Sequence, residues 1–143
     1  MMLLDTNILF ELMRPSPSAQ VIKWLDQQLE SNLMISVIVQ VEINTGIAIL
    51  QDGKRKQELA TAAMKLLDAF EDRCYPFDCA SASAYAEVIR QSRLKGRPMT
   101  TEDAQIAAIA LTYQLTLATR NTTDFDFIDT LQLVNPWGAS NSE

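Results

Sequence analysis

The sequence places an acid directly after its first apolar run, where a metal ligand could lie. Residues 2–4 (MLL) predict a short buried β-strand, and Asp5 follows them at once. In open α/β sheets, ligands bind beyond the carboxyl ends of the strands. Asp5 is therefore a candidate metal ligand, with Thr6 and Asn7 as hydrogen-bonding support. The competing interpretation is that Asp5 only caps the next helix, because Asp, Thr and Asn are all favoured at helix N-termini.

A second acid, Glu42, lies inside an apolar segment. Residues 33–37 predict another buried strand, and the largely apolar residues 38–50 after it predict a helix that contains Glu42. Burying a carboxylate among apolar side chains is costly unless the carboxylate is paired or binds a metal. The pattern thus favours a functional role, although Glu42 could instead face solvent beside Gln40 and Asn44.

Two further acidic positions follow later in the chain. Asp103 falls in the first turn of a helix predicted over residues 104–113, where capping with Thr100 and a metal role account for it equally well. Residues 120–126 are polar and acidic, and they come directly after a strand predicted at residues 115–119. Each of these positions could therefore contribute a carboxylate to the site that contains Asp5.

Composition narrows the chemistry that these acids could perform. The 143 residues include no histidine, which excludes Ser-His-Asp and Cys-His catalysis and histidine-assisted cleavage of RNA by its own 2′-hydroxyl. Chemistry would then rest on carboxylates with a metal. Oxygen-only ligands favour Mg²⁺ or Mn²⁺ over zinc. The net charge of −6 means that nucleic acid could bind only through a local basic patch.

The cysteines and the lengths of the apolar runs predict the environment in which the protein works. Cys74 and Cys79 lack the further Cys or His that a zinc site needs, so we expect free or buried thiols in a reducing cytoplasm. The opening apolar run is too short for a signal peptide, and no run approaches a membrane span. The length suits one domain, which we place at residues 1–137, with residues 138–143 as a flexible tail.

Strands and helices alternate along the chain and must position the acids. Strands are predicted at residues 2–4, 33–37, 74–77, 115–119 and 131–135, and helices at residues 8–13, 19–29, 38–50, 55–70, 80–94 and 104–113. This alternation predicts a three-layer α/β/α domain around a mainly parallel sheet of four to five short strands. The acids would then meet at one edge of the sheet, where like charges repel unless divalent cations lie between them.

Four motifs in this order resemble those of PIN-domain proteins, and most closely the VapC and FitB type. Proteins of that type are the toxins of bacterial toxin–antitoxin pairs. The motifs are LLDTN around Asp5, ISV leading to Glu42, GRP leading to DAQIAA at Asp103, and ATRNTTDF ending at Phe125. The resemblance extends over nearly the whole chain, as far as residues 136–137.

The resemblance implies a Mg²⁺- or Mn²⁺-dependent endoribonuclease that hydrolyses RNA phosphodiesters. Asp5, Glu42 and Asp103 match the first three acidic positions of the family. Many PIN domains place a fourth acid where this chain has Asn121, and here we choose Asp124 for that position. Asn121 could instead be a supporting contact behind the metal ligands, and Asp126 is a weaker alternative to Asp124.

The resemblance also implies partners and supporting residues. We expect an antitoxin, a homodimer, and contact with operator DNA only through the antitoxin. Candidates for neutralising the substrate phosphate are Arg93, Lys95, Arg97 and Arg120, although charge at a helix C-terminus also explains the first three. Candidates for supporting the metal ligands are Thr6, Asn7, Thr119 and Asn121. We expect an antitoxin tail to dock in a groove lined by Leu12, Trp24 and Ile47, with core packing the stronger expectation for Trp24.

Two other classes of protein compete with the nuclease. A phosphoryl-transfer enzyme could also use a strand-end aspartate, but the aspartate-phosphatase type needs a second Asp two residues on, where this chain has Asn7. A protein without catalysis could act as an operator-binding corepressor together with its antitoxin. Metal-dependent RNA cleavage by the purified chain separates these alternatives.

Overall fold

Five short strands pair in parallel to form the central sheet in the computed structural model of the chain, which describes residues 1–138. In chain order the strands are β1 (Met2–Leu4), β2 (Leu33–Ser36), β3 (Cys74–Tyr75), β4 (Thr116–Ala118) and β5 (Leu133–Val134). Their spatial order is β3-β2-β1-β4-β5, and every pairing is parallel. The predicted parallel α/β sheet is confirmed, with β1 at its centre.

The strand order reverses at β1, and this reversal positions the site. Leu3 lies opposite Met34 of β2 on one side and opposite Leu117 of β4 on the other. The crevice at the carboxyl ends of two such strands is the usual ligand site of an open α/β sheet. Asp5 follows β1 and Thr119 follows β4, so both residues lie at this point.

Helices cover the sheet and begin at side chains that cap them. Within residues 1–138 the α-helices are α1 (Thr6–Leu12), α2 (Ala19–Asp26), α3 (Val37–Ala48), α4 (Lys54–Asp68), α5 (Ala82–Leu94) and α6 (Thr101–Thr112). Helix α1 begins two residues before its predicted start because Asp5 accepts a hydrogen bond from the Thr6 backbone N–H. Helix α6 begins at Thr101 because the Thr100 hydroxyl accepts from the Asp103 N–H.

The core lies between β1 and the helices packed on both faces of the sheet. Leu3 and Leu4 are both fully buried, although they point to opposite faces of the strand. The sequence of a central parallel strand is therefore a continuous apolar run, and does not alternate between apolar and polar residues. Helix α6 contributes Ile106, Ile109 and four buried alanines to this core, and the small alanine side chains let it pack closely.

No helix within residues 1–138 is both long enough and apolar enough to cross a membrane. The tail predicted at residues 138–143 lies outside the described residues from residue 139 onward.

Candidate active site

Asp5 is the buried centre of the site, with 5% of its surface exposed. One carboxylate oxygen accepts from the Thr6 N–H at 2.8 Å, and the other accepts from the Thr119 hydroxyl at 2.7 Å. Burial raises the pKa of Asp5, and these hydrogen bonds oppose the rise while the charge of Asp124 adds to it. A carboxylate oxygen can accept more than one contact, so Asp5 can still bind a cation.

The Thr119 hydroxyl orients Asp5. Its oxygen lies 3.1 Å from the Asn121 backbone N–H and 3.4 Å from the Asn7 amide nitrogen, and both groups donate to it. With its lone pairs occupied, the hydroxyl can only donate, and Asp5 is the acceptor that it meets. The predicted supporting residues Asn7, Thr119 and Asn121 thus form one network behind Asp5.

Glu42 on α3 lies against Thr6, the first residue of α1. The Thr6 hydroxyl donates a hydrogen bond to a carboxylate oxygen of Glu42. Burial raises the pKa of Glu42, and the nearby charges of Asp5 and Glu102 raise it further, while the bond from Thr6 lowers it. Glu102 is an acid beside the site that the sequence analysis did not select, although it directly precedes Asp103.

Asp103 lies at the beginning of α6, and the groups around it clearly raise its pKa. Burial, followed by the charges of Asp5, Asp124 and Glu42, raises the pKa of Asp103 to about 6. A hydrogen bond with Thr100 lowers this pKa, but only partly offsets the rise. The N-terminal turn of α6 therefore serves two purposes, because Thr100 caps the helix while Asp103 adds its charge to the site.

The fourth acidic position has three candidates, which are Asp124, Asn121 and Asp126. Asp124 lies on a single 3-10 turn over residues 122–124 and is exposed, yet its charge raises the pKa of both Asp5 and Asp103. Asp126 instead pairs with Arg97 at 3.1 Å. Of the three, only Asp124 shifts the pKa of Asp5 and Asp103, and its role as fourth ligand stays a prediction.

We call Asp5, Glu42, Asp103 and Asp124 the acidic cluster. Among residues 1–138, no three Asp, Glu, Cys or His side chains are already arranged to hold a metal ion. Every charged group that shifts the pKa of Asp5, Glu42 or Asp103 is nevertheless another acid. Oxygen donors whose mutual repulsion is not offset by Lys or Arg fit a hard divalent cation, which would draw them together.

The cations predicted to contact substrate phosphate have diverse surroundings. Lys95 and Arg97 hydrogen-bond to the loop between β4 and β5, and Arg120 lies with its guanidinium carbon 4.9 Å from the ring centroid of Trp137. Arg93 is exposed in the last turn of α5. A phosphate-binding role for these four residues stays a prediction.

A groove of about 700 Å³ begins beside Asn7 and runs between α1, α3 and α4. Its lining includes Phe10, Met13, Ile47, Leu50 and Leu59 along the middle, and Arg120 and Trp137 at one side. Of the three residues, Ile47 lines the groove as predicted. Trp24 packs against the hydrophobic core, which confirms the stronger expectation for it, and Leu12 also packs there, so the groove prediction for Leu12 is wrong. Leu12 is two positions from Phe10 on α1 and so faces the opposite side of that helix.

The raised pKa of Asp103 predicts how pH affects the metal-free protein. The pKa of Asp103 is higher in the folded protein than in the unfolded chain, so the folded state binds this proton more tightly. As pH rises between the two pKa values, the free energy of unfolding therefore falls. In EDTA, Asp103→Asn should melt at a higher temperature than the wild type at pH 7, by roughly 4 °C for each kcal/mol of repulsion removed. The gain should shrink at pH 4.5.

The control for this prediction is Asp26→Asn, which removes an exposed carboxylate at the end of α2. It should show no comparable gain at pH 7. Equal melting temperatures of Asp103→Asn and wild type at both pH values, measured by calorimetry, would contradict the repulsion inferred for the acidic cluster.

Comparison with known proteins places the chain in a family. Residues 2–130 match the family model of the PIN domain. The chain is 42% identical over 140 residues to plasmid stability protein StbB of Pseudomonas syringae pv. tomato, covering 97% of this chain and 100% of that protein. It is 36% identical to Toxin FitB of Neisseria gonorrhoeae, with 96% and 99% covered. It is 33% identical to VapC ribonuclease Y4jK of Sinorhizobium fredii, with 96% and 98% covered.

Solved structures agree with this assignment. The crystal structure of FitAcB from Neisseria gonorrhoeae superposes with a TM-score of 0.88 at 36% identity, covering 96% of this chain and 99% of that chain. A structure of FitAB bound to a DNA fragment gives the same TM-score of 0.88 and covers 96% of both chains. The resemblance seen in the four motifs is thus confirmed, and the chain belongs to the PIN-domain family.

Proposed function

We propose that the protein is a Mg²⁺- or Mn²⁺-dependent endoribonuclease that acts as the toxin of a toxin–antitoxin pair. The observation that carries this proposal is the acidic cluster at the reversal of strand order, where every charged group that shifts the pKa of Asp5, Glu42 or Asp103 is another acid. Its support includes two relatives, one bearing the name VapC ribonuclease and the other the name Toxin FitB.

Asp5, Glu42 and Asp103 would hold the metal, with Asp124 as a fourth ligand. When bound, a divalent ion polarises a phosphate oxygen and lowers the pKa of a coordinated water. Thr119 and the Thr6 N–H keep the Asp5 carboxylate oriented through hydrogen bonds at 2.7 and 2.8 Å. Burial and the neighbouring acids raise the pKa of Asp103 to about 6 in the metal-free protein. A bound cation would lower this pKa again and keep Asp103 ionised as a ligand.

The experiment that tests the proposal uses total cellular RNA. Purified protein is incubated with RNA in Mg²⁺ or in EDTA, and the new RNA ends are sequenced. We expect defined new ends in Mg²⁺ that are absent in EDTA and absent with Asp103→Asn. RNA that stays intact with wild-type protein in both Mg²⁺ and Mn²⁺ would overturn the proposed activity.

We also propose an antitoxin partner whose tail occupies the groove. The apolar middle of the groove suits the apolar side of such a segment, and the acidic cluster near Asn7 suits an Arg or Lys, since a guanidinium makes paired hydrogen bonds to carboxylates. A basic side chain placed near Asp5, Glu42 and Asp103 would compete with the metal for the same oxygens. The proposal includes a homodimer, which sedimentation of the free protein would detect.

Competition between the tail and the metal gives a testable result. Inhibition of the nuclease by a synthetic antitoxin tail should weaken as the Mg²⁺ concentration rises. Above the Kd of the metal, each tenfold increase in Mg²⁺ concentration should raise the half-inhibitory concentration of the tail about tenfold. A tail with its basic residues replaced by Ala is the control and should inhibit weakly at every Mg²⁺ concentration. If the basic residues and Mg²⁺ have no influence on inhibition, the tail acts elsewhere.

A second candidate function is operator binding as a corepressor with the antitoxin. It is favoured by the structure of the relative FitAB in complex with a DNA fragment. This role needs the antitoxin complex but no RNA cleavage, so Asp103→Asn, once in complex with the antitoxin, should retain operator binding in a gel-shift assay. Wild-type protein that represses but never cleaves RNA would favour this function over the nuclease.

A further inference from the structure

The loop between β4 and β5 (residues 119–132, the β4–β5 loop) carries Asp124 and has little regular structure. It contains only one 3-10 turn, at residues 122–124. Phe125, Phe127 and Ile128 are buried and tie the middle of the loop to the core. Asp124 itself is exposed, so apolar burial does not fix its side chain. Within the turn, the Asp124 N–H donates to the Asn121 carbonyl oxygen and the Phe125 N–H to the Thr122 carbonyl oxygen, both at 3.0 Å. Contacts from outside the loop add to these.

Arg97, in the segment between α5 and α6, makes such contacts. Its Nη2 atom donates to the Thr123 carbonyl oxygen at 2.5 Å and to an Asp126 carboxylate oxygen at 3.1 Å. Its guanidinium carbon lies 4.9 Å from the ring centroid of Phe127. The two hydrogen-bonded residues lie on either side of Asp124 in the chain, so Arg97 fixes the backbone around this acid.

The backbone of Arg97 is itself held in place. Its N–H donates to the Ser92 carbonyl oxygen at 2.9 Å, and its carbonyl accepts from the Ser92 hydroxyl at 2.6 Å. Six residues further along the chain, Asp103 enters the site on α6. Arg97 therefore connects the segment that leads to Asp103 with the loop that carries Asp124.

Lys95 holds the far end of the same loop. Its Nζ atom donates to the Phe127 carbonyl oxygen at 2.6 Å and pairs with Asp129 at 3.0 Å. The Asp129 backbone N–H in turn donates to the Gln91 side chain of α5 at 2.7 Å. The loop residues that Lys95 contacts lie farther from Asp124 in the chain than those that Arg97 contacts, so removal of Lys95 should disturb Asp124 less.

We propose that Arg97 is a positioning residue that holds Asp124 at the acidic cluster, with Lys95 as a secondary support of the β4–β5 loop. This inference rests on the proposed metal-dependent nuclease. It differs from the phosphate-binding role predicted for Arg97 in the sequence analysis, because Arg97 would act through Asp124 and not through the substrate. Arg97 uses one nitrogen, Nη2, for both hydrogen bonds, and its planar guanidinium also stacks on the Phe127 ring. Lys is shorter and has no planar group to stack, so it cannot reproduce the whole set of contacts.

The test compares Arg97→Met and Arg97→Lys with Arg93→Met. Arg93 is a matched control, since it is an exposed cation four residues earlier, in the last turn of α5, and makes none of the hydrogen bonds found for the β4–β5 loop within residues 1–138. Amide hydrogen exchange of residues 121–129 and Mn²⁺ binding by calorimetry are measured without RNA. Arg97→Met should speed exchange in this loop by about tenfold or more, as expected for loss of charged hydrogen bonds. Arg93→Met should not.

Mn²⁺ affinity should fall about tenfold or more in both Arg97 variants, as it does when groups behind metal ligands are removed. Asp124→Asn should give a similar loss, and the double variant Arg97→Met/Asp124→Asn should lose little beyond either single change, because both act through one carboxylate. With RNA, kcat should fall while KM changes little. Arg97→Lys should resemble Arg97→Met although it keeps the charge.

Several results would overturn the inference. Unchanged loop exchange in folded Arg97→Met or Arg97→Lys would show that Arg97 does not hold the loop. Faster exchange with unchanged Mn²⁺ affinity would show that the loop does not position a ligand. A higher KM with unaltered exchange, and recovery in Arg97→Lys, would indicate contact with substrate phosphate. Wild-type protein that binds Mn²⁺ but cleaves no RNA would contradict the proposed function alone, since exchange and binding still decide the role of Arg97.

Discussion

Asp103→Asn should reduce the rate of RNA cleavage by at least about 100-fold while the protein stays folded, because even partners of metal ligands typically contribute 10- to 100-fold. The substitution keeps the shape of the side chain and removes one charge from a group of mutually repelling acids. The metal-free variant should therefore melt at or above the wild-type temperature. Initial cleavage rates in Mg²⁺ and circular dichroism melting measure the two effects.

Asp5→Asn should cause the same loss of activity without the gain in stability. Both Asp5 oxygens accept hydrogen bonds, from the Thr6 N–H and the Thr119 hydroxyl, and an Asn amide can accept at only one of these positions. Its NH₂ group would face a donor or a hydroxyl whose lone pairs are already occupied. The relief of repulsion is thus offset by a lost hydrogen bond in a buried place.

Substitutions at the neighbouring acids provide a graded series. Glu42→Gln should also be severe, and Asp124→Asn should be milder because Asp124 is exposed. Glu102→Gln is the matched control, since it removes an exposed acid next to Asp103 that is not assigned as a ligand, and it should retain most activity. Full activity of Asp5→Asn or Asp103→Asn at ordinary Mg²⁺ concentrations would refute the assignment of the acidic cluster.

Mg²⁺ or Mn²⁺ should raise the melting temperature of the wild-type protein. A ligand that binds only the folded state stabilises it by mass action, by about 2.7 kcal/mol at a concentration 100 times its Kd. In this protein the ion would also remove the repulsion among the acidic cluster, so the rise should disappear in Asp5→Asn. Calorimetric scans at increasing metal concentration measure the effect.

Ionic strength needs its own control in this experiment. NaCl at matched ionic strength should give a much smaller rise, because it screens the acids without bridging them. Asp26→Asn, outside the site, should respond to the metal as the wild type does. Identical melting curves of wild-type protein with and without millimolar Mg²⁺ would count strongly against a metal site.

The position of Asp5 could be predicted from the sequence because local features define it. An apolar run followed by an acid indicates the end of a buried strand, and the structure has β1 end at Leu4. The partners of this acid could not be predicted in the same way. Thr119 lies 114 residues away and reaches Asp5 only because β4 pairs beside β1. The order of strands in a sheet is a tertiary property that no local pattern contains.

The lining of the groove shows where local patterns are insufficient. Helix α1 carries apolar side chains on several faces, including Phe10, Leu12 and Met13, and each could line a groove. Packing against α3 and the sheet selects Phe10 and Met13 for the groove and turns Leu12 to the core. Which side of an evenly apolar helix meets its neighbour is decided by the rest of the fold.

The predicted phosphate contacts Lys95 and Arg97 are a similar case. The sequence does not reveal that they contact a loop 26 to 34 residues further along the chain. Those contacts depend on how the segment between α5 and α6 lies beside the β4–β5 loop, which is a tertiary property.

The chemistry at the cleaved RNA ends tests the central claim most directly. Water activated by a metal hydrolyses a phosphodiester without the 2′-hydroxyl, whereas attack by that hydroxyl leaves a 2′,3′-cyclic phosphate. We predict fragments without cyclic phosphate at any time point, formed in Mg²⁺, absent in EDTA, and lost with Asp5→Asn. Cyclic phosphate ends, or cleavage that persists in EDTA, would contradict metal-dependent hydrolysis by the acidic cluster.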